Sequence, residues 1–118
     1  MRRYPVDAVL AAMNPADPRR APFLTTVLPF ARERGIGVIG MKVLGRGDIV
    51  ADGLATHAEL IRYAASLADT VIIGCSTPAE VRANVEASRA FVPMPEPEMR
   101  ALEARIAPRA HRYDTFKA

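Results

Sequence analysis

The feature that most constrains this chain is the alternation of short, continuous apolar runs with longer stretches of helical spacing. Ala8 to Met13 (AVLAAM) is the first run, and Asn14-Pro15 stops it. Ile36 to Val43 (IGVIGMKV) is the second, and Thr70 to Ile73 the third. Short apolar runs bounded by turn residues read as strands buried on both faces. The segments between them carry helix signals. Strands that alternate with helices predict an α/β fold with a parallel sheet under helical cover.

The helix signals are local and specific. Between Pro22 and Arg34, Phe23, Val27, Phe30 and Ala31 recur at helical spacing, and Gly35 stands where a C-terminal cap belongs. Pro29 predicts a kink or break there, because it removes a backbone donor. Gly45 to Asp48 reads as a loop. Thr56 and Glu59 form a capping box for a helix to Leu67, with Leu60, Tyr63, Ala64 and Leu67 on one face. Thr77, Pro78 and Glu80 open a further helix to about Phe91, with Val81, Val85 and Ser88 expected to face inward. Pro93, Pro95 and Pro97 make a stiff linker. A last helix, about Glu96 to Ala107, and a basic tail complete a C-terminal segment, residues 92–118.

Composition bounds the function. The 118 residues are half apolar and a quarter charged, as expected of one globular domain. No apolar run approaches the ~20 residues that cross a bilayer. The basic start, Met1 to Pro5, is followed by no apolar signal segment. Cys75 is the only cysteine, which excludes an internal disulfide and a CxxC metal site and suits a cytoplasmic setting. The net charge is +3, and acids interleave with the arginines. That predicts a solvated surface rather than a nucleic-acid or membrane partner.

In parallel sheets, ligands sit at the carboxyl ends of the strands. Asn14, the stretch from Met41 to Asp48 and the turn from Gly74 to Thr77 all fall there. Gly74-Cys75-Ser76-Thr77 leads from a strand into a helix N-terminus, where unpaired N–H groups and the helix dipole favour an anion. The same residues also make an ordinary N-cap, and both readings stand. Lys42, at a strand end within an apolar run, either faces an anionic ligand or reaches out to solvent. Gly45 and Gly47 either free N–H groups for a pyrophosphate or turn the chain. His57 and His111 have no partner motif and read as surface residues. Cys75 has no histidine or second cysteine nearby and reads as an inert small residue. Neither standard nucleotide fingerprint is present. No acid pair is spaced for acid–base roles, so no catalytic residue and no metal ligand is assigned.

At these residues the chain resembles a known family. RYPVDAVLAAMNPAD, ARERGIGVIGMKVLGRG, ELIRYAASLADTVIIGCSTPAEVRANVEASRAF and the closing YDTFK, in this order and spacing, are similar to the C-terminal part of bacterial aldo/keto reductases. The resemblance covers nearly the whole chain. It implies a partial (β/α)8 TIM barrel, with about three βα units, the sixth to the eighth, plus a C-terminal helix. The family's cofactor is NADP(H), with NAD(H) a second candidate, and its substrates are small carbonyl compounds.

The resemblance also implies roles. Gly74, Cys75, Ser76, Thr77, Glu80 and Asn84 match positions that hold the adenosine 2′-phosphate side of the cofactor. Met41, Lys42, Val43, Leu44, Gly45 and Arg46 match the loop beside the nicotinamide and pyrophosphate. The chain departs from the family at three places: Glu80 lies where many members have an arginine, Leu10 near a common glutamine, and Met41 where an aromatic often stacks. The catalytic Asp, Tyr, Lys and His lie on earlier strands of the family barrel, and nothing here matches them. The implied protein is a cofactor-binding piece, inactive alone. It is expected to self-associate through exposed sheet edges or to pair with an N-terminal half. The alternative from the residues is a small non-enzymatic phosphate- or nucleotide-binding module.

Overall fold

A computed structural model describes residues 5–15, 26–44 and 47–109. The expectations for Pro22 to Thr25, Gly45, Arg46, His111 and the tail lie outside these residues. The described elements run β1 (Ala8–Ala12), α1 (Leu28–Glu33), β2 (Gly37–Met41), α2 (Asp48–Ala51), α3 (His57–Leu67), β3 (Thr70–Val71), α4 (Pro78–Arg89) and α5 (Glu96–Ile106). The α/β expectation therefore holds, with one three-stranded parallel sheet and five helices among the described residues. No helix among them is long and apolar enough to cross a membrane.

The strands lie in the order β1-β2-β3. Ala8 pairs with Gly37 and Ala12 with Met41, while Ile39 pairs with Thr70. Both crossovers step the same way across the sheet. Right-handed connections therefore place their helices on one face. Val38, Met13, Val71 and Ile73 turn toward that face and join the core with Leu60, Ile61, Tyr63 and Ala64 of α3. The other face carries Leu10, 50 % exposed, and Ile72, 56 % exposed. Gly40 sits mid-sheet on the covered face. A Cβ there would lie 3.4 Å from Met13 and 3.5 Å from Ala68, so the glycine admits neighbouring side chains rather than backbone.

Several boundaries differ from the sequence reading. Pro29 falls in the first turn of α1, just after the π-helical residues Thr26 and Val27, so the expected kink or break lies where the helix changes form. Gly35, at φ +68°, closes α1: its N–H bonds to the Arg32 carbonyl and that of Ile36 to the Ala31 carbonyl. β2 ends at Met41 rather than Val43, because Lys42 adopts the left-handed region, φ +55°. The expected loop at Asp48 begins a one-turn helix behind Gly47, φ +86°. Pro97 lies in the first turn of α5, so the stiff linker ends at Pro95, the residue before that helix.

Two burial expectations are corrected. Thr70 to Ile73 is not a buried strand: β3 stops at Val71 and forms one sheet edge, with Thr70 and Ile72 exposed, and β1, the other edge, likewise leaves Ala8 and Leu10 exposed. Val81 and Val85 are 48 % and 43 % exposed, and Ser88 is exposed as well. Among the described residues no strand follows β3, so this stripe of α4 has no sheet to lie on. The helix instead turns Asn84 and Ala87 inward.

The capping box at Thr56 forms as read, and the N-cap expected at Thr77 is a second capping box with Glu80. Thr56 Oγ1 accepts from the Glu59 N–H, and Glu59 Oε1 accepts from the Thr56 N–H. α5 is tied to α3 by polar contacts. The Tyr63 hydroxyl donates to Glu103 Oε2 at 2.6 Å inside the core. Arg62 reaches the Val92 and Pro93 carbonyls and Glu98. Met94 is buried, and its N–H donates to Ser66 Oγ.

Candidate functional site

At the carboxyl ends of the strands lies an open cleft of about 740 Å³. Each strand delivers one wall. After β1 comes Asn14, fully buried, whose Nδ2 donates to the Lys42 carbonyl at 3.0 Å. That bond holds the turn after β2, where Lys42 takes its left-handed conformation. For a lysine this backbone costs roughly 1–2 kcal/mol relative to the right-handed region. It directs the chain from the strand into Val43, which is buried, and Leu44. After β3, Gly74 and Ser76 lead into α4.

Met41, Lys42, Val43, Leu44, Gly74, Ser76, Glu80 and Asn84 all line this one cleft. Cys75 and Thr77 of the same expected set do not. Cys75 is exposed and its Sγ accepts from Asn84 Nδ2 at 2.8 Å. Thr77 is committed to the helix, its Oγ1 accepting from the Glu80 N–H at 3.2 Å. Gly45 and Arg46 lie outside the described residues.

The helix N-terminus already has an anion of its own. Glu80 folds back so that Oε2 accepts from the N–H groups of Ser76 and Thr77, the latter at 3.3 Å. These are donors that a bound phosphate would otherwise use. Behind them, Asn84 is 9 % exposed and its Oδ1 has no hydrogen-bond partner. The α4 wall thus brings Glu80 to the cleft, whereas the Asn84 oxygen is closed off from solvent.

The cleft also gathers residues that the sequence did not mark. His57 lines it from the start of α3 and is half-buried, not the surface residue expected. Leu10, Ile72 and Ile73 form its apolar floor, with Gly47 and Val50 at the rim. The alternation of β1 and β3 could have placed Leu10 and Ile72 on one sheet face. Nothing local could have brought His57 there, because its position depends on how α3 packs. Among the described residues, no group of three or more metal-ligating side chains comes together. Comparisons with family models, curated proteins and solved structures return no match.

Proposed function

We propose that this chain is the C-terminal, cofactor-binding part of an NAD(P)H-dependent aldo/keto reductase. The observation that carries the reading is the single cleft at the carboxyl ends of the strands. It collects Met41, Lys42 and Leu44 from one loop and Gly74, Ser76, Glu80 and Asn84 from the next. The cleft is large enough for half of a dinucleotide, and sites of this kind are apolar with a few convergent polar groups.

The sheet supports the barrel assignment. Three parallel strands in sequence order, with helices on one face, match consecutive βα units of a (β/α)8 barrel rather than a doubly wound sheet, whose strand order reverses. The open face with Leu10 and Ile72 corresponds to the barrel interior. In the parent enzyme a hydride would pass from the nicotinamide to a carbonyl carbon, with a tyrosine from the missing part protonating the oxygen. This chain would hold the cofactor and form part of the substrate rim.

The test is twofold. Titration with NADH and NADPH, followed by nicotinamide fluorescence, is expected to show saturable binding. Carbonyl reductase assays are expected to show activity only after an N-terminal half bearing the catalytic residues is added. Binding without activity in the reconstituted pair would favour a non-enzymatic nucleotide-binding module. No binding of either dinucleotide would remove the cofactor reading.

A further inference from the structure

The backbone ladder between β1 and β2 ends where the Met13 N–H donates to the Met41 carbonyl at 2.8 Å. One residue further on the chain leaves the strand, because Lys42 takes the left-handed region, φ +55°. The next rung is made by a side chain. Asn14 Nδ2 donates to the Lys42 carbonyl at 3.0 Å, and Asn14 is fully buried. Backbone pairing already runs the length of both strands, from Ala8 with Gly37 to Ala12 with Met41, so this bond is not needed to hold the sheet. It acts on the turn, whose residues Lys42, Val43 and Leu44 line the cleft together with Met41.

The sizes of two effects decide its role. The steric cost of one left-handed residue other than glycine and the net worth of one hydrogen bond are similar. Strained backbone of this kind persists only where its surroundings over-determine it. Without the Asn14 donor, little keeps Lys42 left-handed, and other backbone conformations become populated.

We infer that Asn14 is a positioning residue: it holds Lys42 in its left-handed conformation and so keeps this wall of the cleft in the shape that a ligand meets. The effect on a cofactor rests on the reading of the cleft as a nicotinamide-cofactor site; the effect on the wall does not. A ligand that needs the wall in place binds only the fraction of molecules that have it, and its apparent affinity falls by that fraction.

The experiment compares the full chain with Asn14→Leu, which fills a similar space without a donor. Both are made again with Lys42→Gly, because glycine enters the left-handed region without steric cost. Backbone NMR shifts report the conformation at residue 42, and titrations with NADH and NADPH report the affinity. Asn14→Leu is expected to lose the left-handed signature at Lys42 while the β1 and β2 shifts stay in place, and to bind more weakly by roughly three- to tenfold. In the Lys42→Gly background the same change is expected to cost less than about twofold, since the two residues act through one turn. Left-handed Lys42 retained in Asn14→Leu overturns the inference, and so does affinity unchanged where that conformation is lost. An equal loss of affinity in both backgrounds overturns it as well, because Asn14 would then act other than through the strain at Lys42. If Asn14→Leu folds only together with Lys42→Gly, the positioning role stands; if it folds in neither background, Asn14 is a general core residue and the role is overturned. Failure of both dinucleotides to bind the wild type removes the cofactor reading, and the shifts at residue 42 then decide the role of Asn14 by themselves.

Discussion

Asn14 donates its side-chain amide to the backbone carbonyl of Lys42, 28 residues away, and so joins the ends of the first two strands beneath the cleft. Asn14 is fully buried. Replacing it with alanine leaves a carbonyl short of its donor and opens a small void. Asn14→Ala is expected to lower stability by about 1–3 kcal/mol, read from the shift of a urea midpoint. A loss confined to a few tenths would mean that this bond does not hold the turn.

Lys42 bears a positive φ in a chain whose other described examples are glycines. Lys42→Gly relieves the steric cost but adds backbone freedom to the unfolded state. The net expectation is a gain of up to about 1 kcal/mol in stability. The same change removes the cation from the cleft wall, so dinucleotide binding is expected to weaken. A variant that loses both stability and affinity would show that the lysine side chain, rather than its backbone, organises the turn.

Tyr63 and Glu103 meet inside the core, and Arg100 also pairs with that carboxylate. Tyr63→Phe keeps the ring packing and removes the hydroxyl. A buried carboxylate then loses one donor, at an expected cost of about 1–3 kcal/mol. Hydrogen exchange should show α5 opening more readily than in the wild type, with the sheet little changed. Uniform loosening of the whole chain would argue against a local tie.

Asp69 accepts from the Val38 N–H at 2.7 Å and from Arg32 at 2.9 Å, at the opposite end of the sheet from the cleft. The Val38 bond first, and Arg32 beside it, hold its carboxyl below the ordinary value of 3.8. For Glu59, burial pushes the carboxyl up, but the Thr56 N–H and Arg105 outweigh it and hold it below 4.5. A carboxyl lowered by folding adds stability that is fully present above the ordinary value and is lost as pH falls through the native one. Urea midpoints are expected to be level above about pH 5 and to fall below it. Asp69→Asn should flatten part of that fall. Parallel acid limbs in the two proteins would sink the assignment.

Thr77 caps a twelve-residue helix through its hydroxyl. Thr77→Ala is expected to cost about 0.5–2 kcal/mol. Thr77→Ser, which keeps the acceptor, should restore most of it. If serine fails to rescue, the hydroxyl is not what holds the helix start.

Much of this protein was decided within a few residues along the chain. The capping boxes at Thr56–Glu59 and Thr77–Glu80, the αL closure at Gly35 and the stop at Asn14 are short-range chemistry, and they appear as the residue types dictate. The three apolar runs likewise determined three strands, because an apolar run between turn residues has few other ways to leave water.

What only tertiary structure decided concerns faces and ends. Periodicity put Val81 and Val85 inward, but a helix buries an apolar stripe only if something lies opposite, and among the described residues no strand follows β3. Thr70 to Ile73 reads as buried on the same signal as β2, but β3 lies at a sheet edge with one bare face, and only the central strand buries both of its helix-facing residues, Val38 and Gly40. The cleft itself depends on register. β1 and β2 pair so that Asn14 reaches the Lys42 carbonyl, and the packing of α3 carries His57 to the same rim. Glu80 was legible as a capping residue. That its carboxylate also fills the place an anion would take became visible only once the turn from Gly74 to Thr77 had a shape.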